Sequence, residues 1–234
     1  MLKKVSFVIL GLTAVAAIES LSGTPHAAAA PALQTATEDA SRFGDEQMAV
    51  TAELPYIISR FDNIMRRVGE EQGQDWRLMS AIAYSESRFK ENLVSSRGAT
   101  GLMQIRPIVA RHFNVPVEKI NDTETNIRLA SMLLGELGRM LNIPADVSND
   151  DRMRIILASY NAGVGHVQDA RRLARSEGNN PNSWEDVSRY LRLKADPTYY
   201  NKKEVHNGRF TGSGQTLSYV DEVMKHYRHY CSLT

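Results

Sequence analysis

From about residue 54 onward the apolar residues recur with a helical period, and no run alternates apolar and polar residues for long enough to require a sheet. That regularity restricts the chain to an all-α fold. Asp75 is placed to cap a helix carrying Trp76, Leu78, Met79, Ile82, Ala83 and Phe89. Asp122 or Thr123 opens a second, with Ile127, Ala130, Leu133, Leu134, Leu137 and Leu141 on its stripe, and Pro144 is expected to stop it. Ser148 or Asn149 caps a third, which holds Met153, Ile156, Leu157 and Tyr160 and closes at Asn161-Ala162-Gly163, where Asn and Gly tolerate left-handed backbone. A fourth runs over 164–175, and Ser183 with Asp186 resembles a capping box for a short fifth. The last helix carries Val220, Val223, Met224 and Tyr227. Ahead of it, residues 194–215 read as the longest irregular stretch, a loop of the kind that is usually functional or mobile.

The N-terminus reads as an address. Lys3-Lys4 precede an apolar run over 5–18, and Ala27 to Ala30 follow Pro25, the layout of a secretory signal peptide over 1–30. The run is short for a membrane span, which takes roughly 20 apolar residues. No Cys follows it, so an acylated anchor is not expected, and the single Cys231 cannot form an internal disulfide. Residues 31–53 read as a linker and 54–234 as the folded domain. The expectation is a protein exported to the periplasm or cell envelope, with no stable membrane span after processing.

Charge narrows the partners. Lys plus Arg number 28 and Asp plus Glu 27, a formal +1 that falls to zero without the leader. A neutral chain has no field with which to hold a polyanion, so no nucleic-acid partner is expected.

On the first of these helices Glu86 falls on the apolar side, among Met79, Ile82 and Ala83. Burying a carboxylate is costly, so either a cation pairs with it or its pKa rises until it keeps a proton near neutrality. The structural alternative is a pair with Arg88, Arg97 or Arg106. The functional one is a general acid of the kind that protonates a glycosidic oxygen. Residues 87–107 then pack Gly98 and Gly101 with Ser95 and Gln104, small and neutral hydrogen-bonding groups suited to sugar hydroxyls.

Three ordered motifs carry a resemblance: Glu86-Ser87-x-Phe89 through Ser95-x-x-Gly98-Ala99-x-Gly101-Leu102-Met103-Gln104-Ile105-x-Pro107, then Ala158-Ser159-Tyr160-Asn161-Ala162-Gly163, then Tyr219-Val220. Over residues 76–230 the chain resembles the soluble-lytic-transglycosylase domain family, whose fold is goose-lysozyme-like. Asp75-Trp76-Arg77-Leu78, His166-x-x-Asp169-Ala170-Arg171-Arg172-Leu173 and Pro197-x-Tyr199-Tyr200 look like the catalytic half of the membrane-bound F type, without its solute-binding-like domain.

The resemblance implies a lyase that cleaves peptidoglycan glycan strands between N-acetylmuramic acid and N-acetylglucosamine, leaving a 1,6-anhydro end, with no cofactor and no metal. It implies Glu86 as the single catalytic acid, Ser95 and Gln104 as saccharide contacts, Tyr160 and Asn161 as the pair shaping the site, and Tyr219 as a cleft or core tyrosine. Gln215, where the family often has an acid, and Arg106, where Met is frequent, depart from the pattern. Arg106 could pair with Glu86 and lower its pKa. The 194–215 loop is expected to wall the cleft and to become more ordered on glycan, with Tyr199 and Tyr200 stacking on sugars. Two other readings remain: a hydrolytic muramidase using Glu91 or Asp122 as second acid, and a peptidoglycan-binding protein with weak catalysis.

Overall fold

The computed structural model describes residues 57–234; the leader and linker expected over 1–30 and 31–53 lie outside the described residues. Asp62 begins the first helix, α1 (Asp62–Gln72), and its buried carboxylate accepts the backbone N–H groups of Ile57, Ile58 and Ser59 at 2.7–2.9 Å, fixing the entry of the chain. Gly73, at φ 67°, ends it in left-handed backbone. In α2 (Trp76–Ser87) Asp75 is the N-cap as expected: its carboxylate accepts from Arg77 N at 2.9 Å and from the Tyr227 hydroxyl at 2.8 Å. Phe89 is not part of α2. Arg88 and Phe89 both take positive φ, 53° and 60°, and turn the chain out of the helix.

Residues 88–106 form a loop with two isolated bridges, Val94 to Thr100 and Thr100 to Ile105. It is held by buried Asn126, whose side chain accepts from Met103 N at 2.8 Å and donates to the carbonyls of Thr100 and Ile120. Gly101, at φ 80°, lies so close that a Cβ there would come within 2.6 Å of the Asn126 amide.

Next come α3 (Pro107–His112), a 3-10 turn (Val117–Asn121) and α4 (Thr123–Leu141), capped by Asp122 through Thr125 N at 2.8 Å. The end of α4 differs from the expectation. Asn142, at φ 44°, already closes the helix in left-handed backbone, so Pro144 lies beyond the stop. α5 (Asn149–Ala162) starts on Ser148, which accepts from Asp151 N, and ends at Gly163, φ 91°. α6 (Val164–Ser176) and α7 (Trp184–Leu193) follow.

The capping box at Ser183 does not form. Ser183 makes no side-chain cap bond, and Asp186 instead accepts from Asn180 N and pairs with Arg189. The stretch expected to be irregular from 194 to 215 contains a short helix, α8 (Pro197–Tyr200), and the last helix, α9 (Ser213–Leu233), begins two residues earlier than that loop was expected to end.

Among the described residues the domain is all-α. One core joins Met79 and Ile82 of α2, Ile127 and Leu137 of α4, Ile155 of α5 and Tyr190 of α7, all essentially inaccessible. Each such side chain contributes about 1.5–3 kcal/mol through burial. α9 lies against both α2 and α5, and its Val220, Val223 and Met224 are buried in the core. Among the described residues no helix is long and apolar enough to cross a membrane.

Candidate active site

Glu86 occupies the last turn of α2. It is closely surrounded by protein, yet keeps part of its surface accessible. Burial pushes its pKa from 4.5 to about 8; the nearby Tyr219 hydroxyl works against this and the Glu222 carboxylate adds to it. The negative end of the α2 dipole acts in the same direction as burial. None of the groups that shift Glu86 is a cation. Arg88, one of the candidates for a structural pair, is engaged elsewhere: its guanidinium binds Glu222 at 2.7 Å and lies 4.4 Å from the Tyr84 ring centre.

Two tyrosines from other helices face the same place. Tyr160, buried on α5, donates to the Met103 carbonyl at 2.8 Å, which ties α5 to the Gly-rich loop. Burial raises its pKa well above 10, with Glu86 adding to the shift. Tyr219, buried on α9, is raised for the same two reasons. Its hydroxyl stands close enough to influence Glu86 without making a hydrogen bond of ordinary geometry. The Asn161 Oδ1 accepts from the Thr216 hydroxyl at 2.9 Å, both groups buried, and so joins the end of α5 to the start of α9.

Ser95 and Gln104 both spend bonds on the loop itself. The Ser95 hydroxyl accepts from Ala99 N at 2.9 Å, and the Gln104 amide nitrogen donates to the carbonyls of Leu93 and Gly101, each at 3.0 Å. These bonds use the Ser95 oxygen as acceptor and the Gln104 amide nitrogen as donor. Gln104 reaches this position with φ 49°, strained backbone for a non-glycine residue. Arg106 is the N-cap residue of α3.

The two carboxylates weighed as a second acid have other duties. Glu91 pairs with Arg60 and accepts from the Thr123 hydroxyl at 2.5 Å. Asp122 caps α4, and its hydrogen bonds from the Thr125 side chain and backbone hold its pKa low.

The loop after α7 is tied to α6 through one buried carboxylate. Lys194 and Asp169, both fully buried, pair at 2.6 Å, and Asp169 also accepts from the backbone N–H of His206 and Asn207 and from Arg172. Burial, and then the Lys194 charge, press the His166 pKa down to about 4, so its neutral ring meets the Lys194 ammonium at 3.0 Å and stacks on Phe210. Tyr199 packs against Tyr190, with Lys202 4.6 Å from its ring centre, so that ring already has neighbours where a sugar stack was expected.

Sequence reasoning did not find Glu222, Thr216 or Asn126. A signal existed for the first: Glu222 follows Tyr219 by three positions and shares its helix face.

The chain is 33% identical over 172 residues to a membrane-bound lytic murein transglycosylase F of Marinobacter nauticus, covering 73% of this chain and 32% of that one. It is also 33% identical over 168 residues to the protein of that name from Alcanivorax borkumensis, covering 71% and 34%. It thus spans about a third of the length of these relatives. A solved structure of an inactive mutant of the lytic transglycosylase Slt from Pseudomonas aeruginosa aligns with 72% of this chain and 23% of its own, at 21% identity and a TM-score of 0.48. The family model described as Transglycosylase SLT domain matches residues 63–182, just over half of the chain and the part that holds Glu86, Ser95, Gln104, Tyr160 and Asn161. The chain belongs to the transglycosylase SLT domain family.

Proposed function

We propose that the protein is a peptidoglycan lytic transglycosylase with Glu86 as its only proton-transfer residue. The observation that carries the reading is the placement of Glu86 at the end of α2, closely surrounded by protein yet partly accessible, beside the buried Tyr219 of α9 and with no cation among the groups that shift it; burial pushes its pKa up to about 8. Such a group donates at neutral pH. Glu86 gives its proton to the oxygen linking N-acetylmuramic acid to N-acetylglucosamine, and the C1–O bond breaks as that oxygen leaves as a hydroxyl. The Glu86 carboxylate then takes the proton of the muramyl 6-hydroxyl, whose oxygen closes on C1. The product is a 1,6-anhydro ring, no water is consumed, and Glu86 regains its proton.

In this reading Tyr219 and Tyr160 keep water and cations from Glu86, Ser95 donates its hydroxyl to the saccharide and Gln104 accepts through its amide oxygen. Asn161 acts by fixing the α5 to α9 junction. The occupied state of Glu91 and Asp122 supports a one-carboxylate reaction over hydrolysis by a flanking pair. The leader expected over 1–30 would deliver the protein to the envelope, where its substrate is.

The test is digestion of purified sacculi followed by mass spectrometry. Muropeptides lighter by one water than their reducing counterparts are expected. Reducing ends would instead favour a muramidase, and binding without turnover a peptidoglycan-binding protein.

A further inference from the structure

Arg88 stands two residues after Glu86, as the left-handed C-cap of α2, and is the nearest cation to it along the chain. Several features keep it away. Arg88 takes left-handed backbone at φ 53°, its guanidinium lies over the Tyr84 ring at 4.4 Å, and Glu222 of α9 grips it at 2.7 Å. Glu222 lies one helical turn after Tyr219, the residue that faces Glu86. His226, a turn further on, approaches Glu222 at 3.9 Å and packs against Tyr84, the rings tilted by 59° with centres 4.4 Å apart. The pair is half-exposed, so its direct worth in stability is small, roughly 0–1 kcal/mol. Its placement is what matters.

We propose that Glu222 is a positioning residue for the proton-transfer reaction: by holding the Arg88 guanidinium against α9, it keeps that cation off Glu86, and its own carboxylate is the charge that stands near Glu86. The inference rests on the reading of Glu86 as the acid. The groups facing Glu86 are Tyr219 and Glu222 from α9 and Tyr160 from α5; those facing Glu222 are Arg88 from α2 and His226 from its own helix. Removing Glu222 therefore does two things of one sign: it deletes an anion near Glu86 and frees a cation to approach. Removing Arg88 acts with the opposite sign, because Glu222 then stays unneutralised. A merely structural contact between α2 and α9 would be loosened in the same way by either change.

The experiment is a carbon-13 NMR titration of the Glu86 carboxyl in the full chain, the signal being assigned by its loss in Glu86→Gln. It is run on wild type, Glu222→Gln, Arg88→Gln and the charge-conserving Arg88→Lys, with thermal melts as a check on folding. The Glu86 midpoint is expected to fall in Glu222→Gln by about half a pH unit or more, a threefold or greater change in proton affinity. It is expected to rise in Arg88→Gln and to stay near wild type in Arg88→Lys. The alkaline limb of sacculus cleavage is expected to move with it. Shifts of the same sign in Glu222→Gln and Arg88→Gln, or no shift, would overturn the proposal. So would loss of turnover at every pH in Glu222→Gln with an unchanged Glu86 midpoint, which would make Glu222 a direct participant. The titration needs no substrate: opposite shifts in a protein that cleaves nothing would refute the lytic reading and leave the placement of Arg88 standing.

Discussion

Asp169 and Lys194, neither of them accessible to solvent, meet at 2.6 Å between α6 and the end of α7, and the same carboxylate gathers the backbone of His206 and Asn207. Burial alone would raise the Asp169 pKa, but the bonds from Lys194, His206 and Asn207 outweigh it and hold the group below its ordinary value. The segment that leads into α9 and its Tyr219 is thereby fastened to α6. Removing one partner of such a pair strands a buried charge.

Asp169→Asn is expected to lower unfolding stability by about 3–5 kcal/mol. It should also speed amide hydrogen exchange across residues 201–212 more than across α2. Denaturant unfolding and exchange mass spectrometry check both, and an unchanged exchange pattern would show that the segment has other anchors.

Glu86 has a cost for the fold that follows from its titration. The folded protein holds this proton up to about pH 8, while the ordinary value is 4.5. Across that window the folded state binds more protons than the unfolded one, so stability falls as pH rises through it. Glu86→Gln is expected to remove this decline and to be the more stable protein at pH 9, by a margin on the order of 5 kcal/mol. Unfolding curves at pH 5 and pH 9 decide it; equal pH dependence in the two proteins would mean that Glu86 titrates normally.

Gly101→Ala is expected to damage the loop beneath the site. A Cβ at φ 80° would press on Asn126 at 2.6 Å, displacing the amide that holds Met103, Thr100 and Ile120. The strain together with the broken bonds should destabilise by about 1–3 kcal/mol and reduce cleavage. Thermal melting and turnover on sacculi measure the two effects. Wild-type values in both would show that the loop can shift without consequence.

Much of this was legible in the sequence where a cap and a stripe occur together. Asp75, Asp122 and Ser148 each precede a helical apolar pattern, and each caps the helix expected of it. The failures have local causes. α1 has a narrow stripe, Met65 and Val68 with Phe61 just before it, among Arg, Glu and Gln, and its entry depends on the buried Asp62, a residue that reads as surface. Lys194 and Asp169 likewise read as solvated charges; only pairing across 25 positions makes their burial affordable, and periodicity cannot register it. At the site, the sequence pointed to Glu86 because a carboxylate stood on an apolar face. Its approach to Tyr219 and the capture of Arg88 by Glu222 join residues more than 130 positions apart, and these contacts emerge only when α9 packs on α2.

The account stands on Glu86 donating a proton to a glycosidic oxygen, and the most direct measurement compares wild type with Glu86→Gln on purified sacculi across pH 5 to pH 9, following soluble products by mass spectrometry. Wild type is expected to release anhydro-ended fragments at a rate that falls as pH passes about 8, and Glu86→Gln, still folded, to lose about 10²- to 10⁴-fold in rate. Comparable release by the variant would contradict the account.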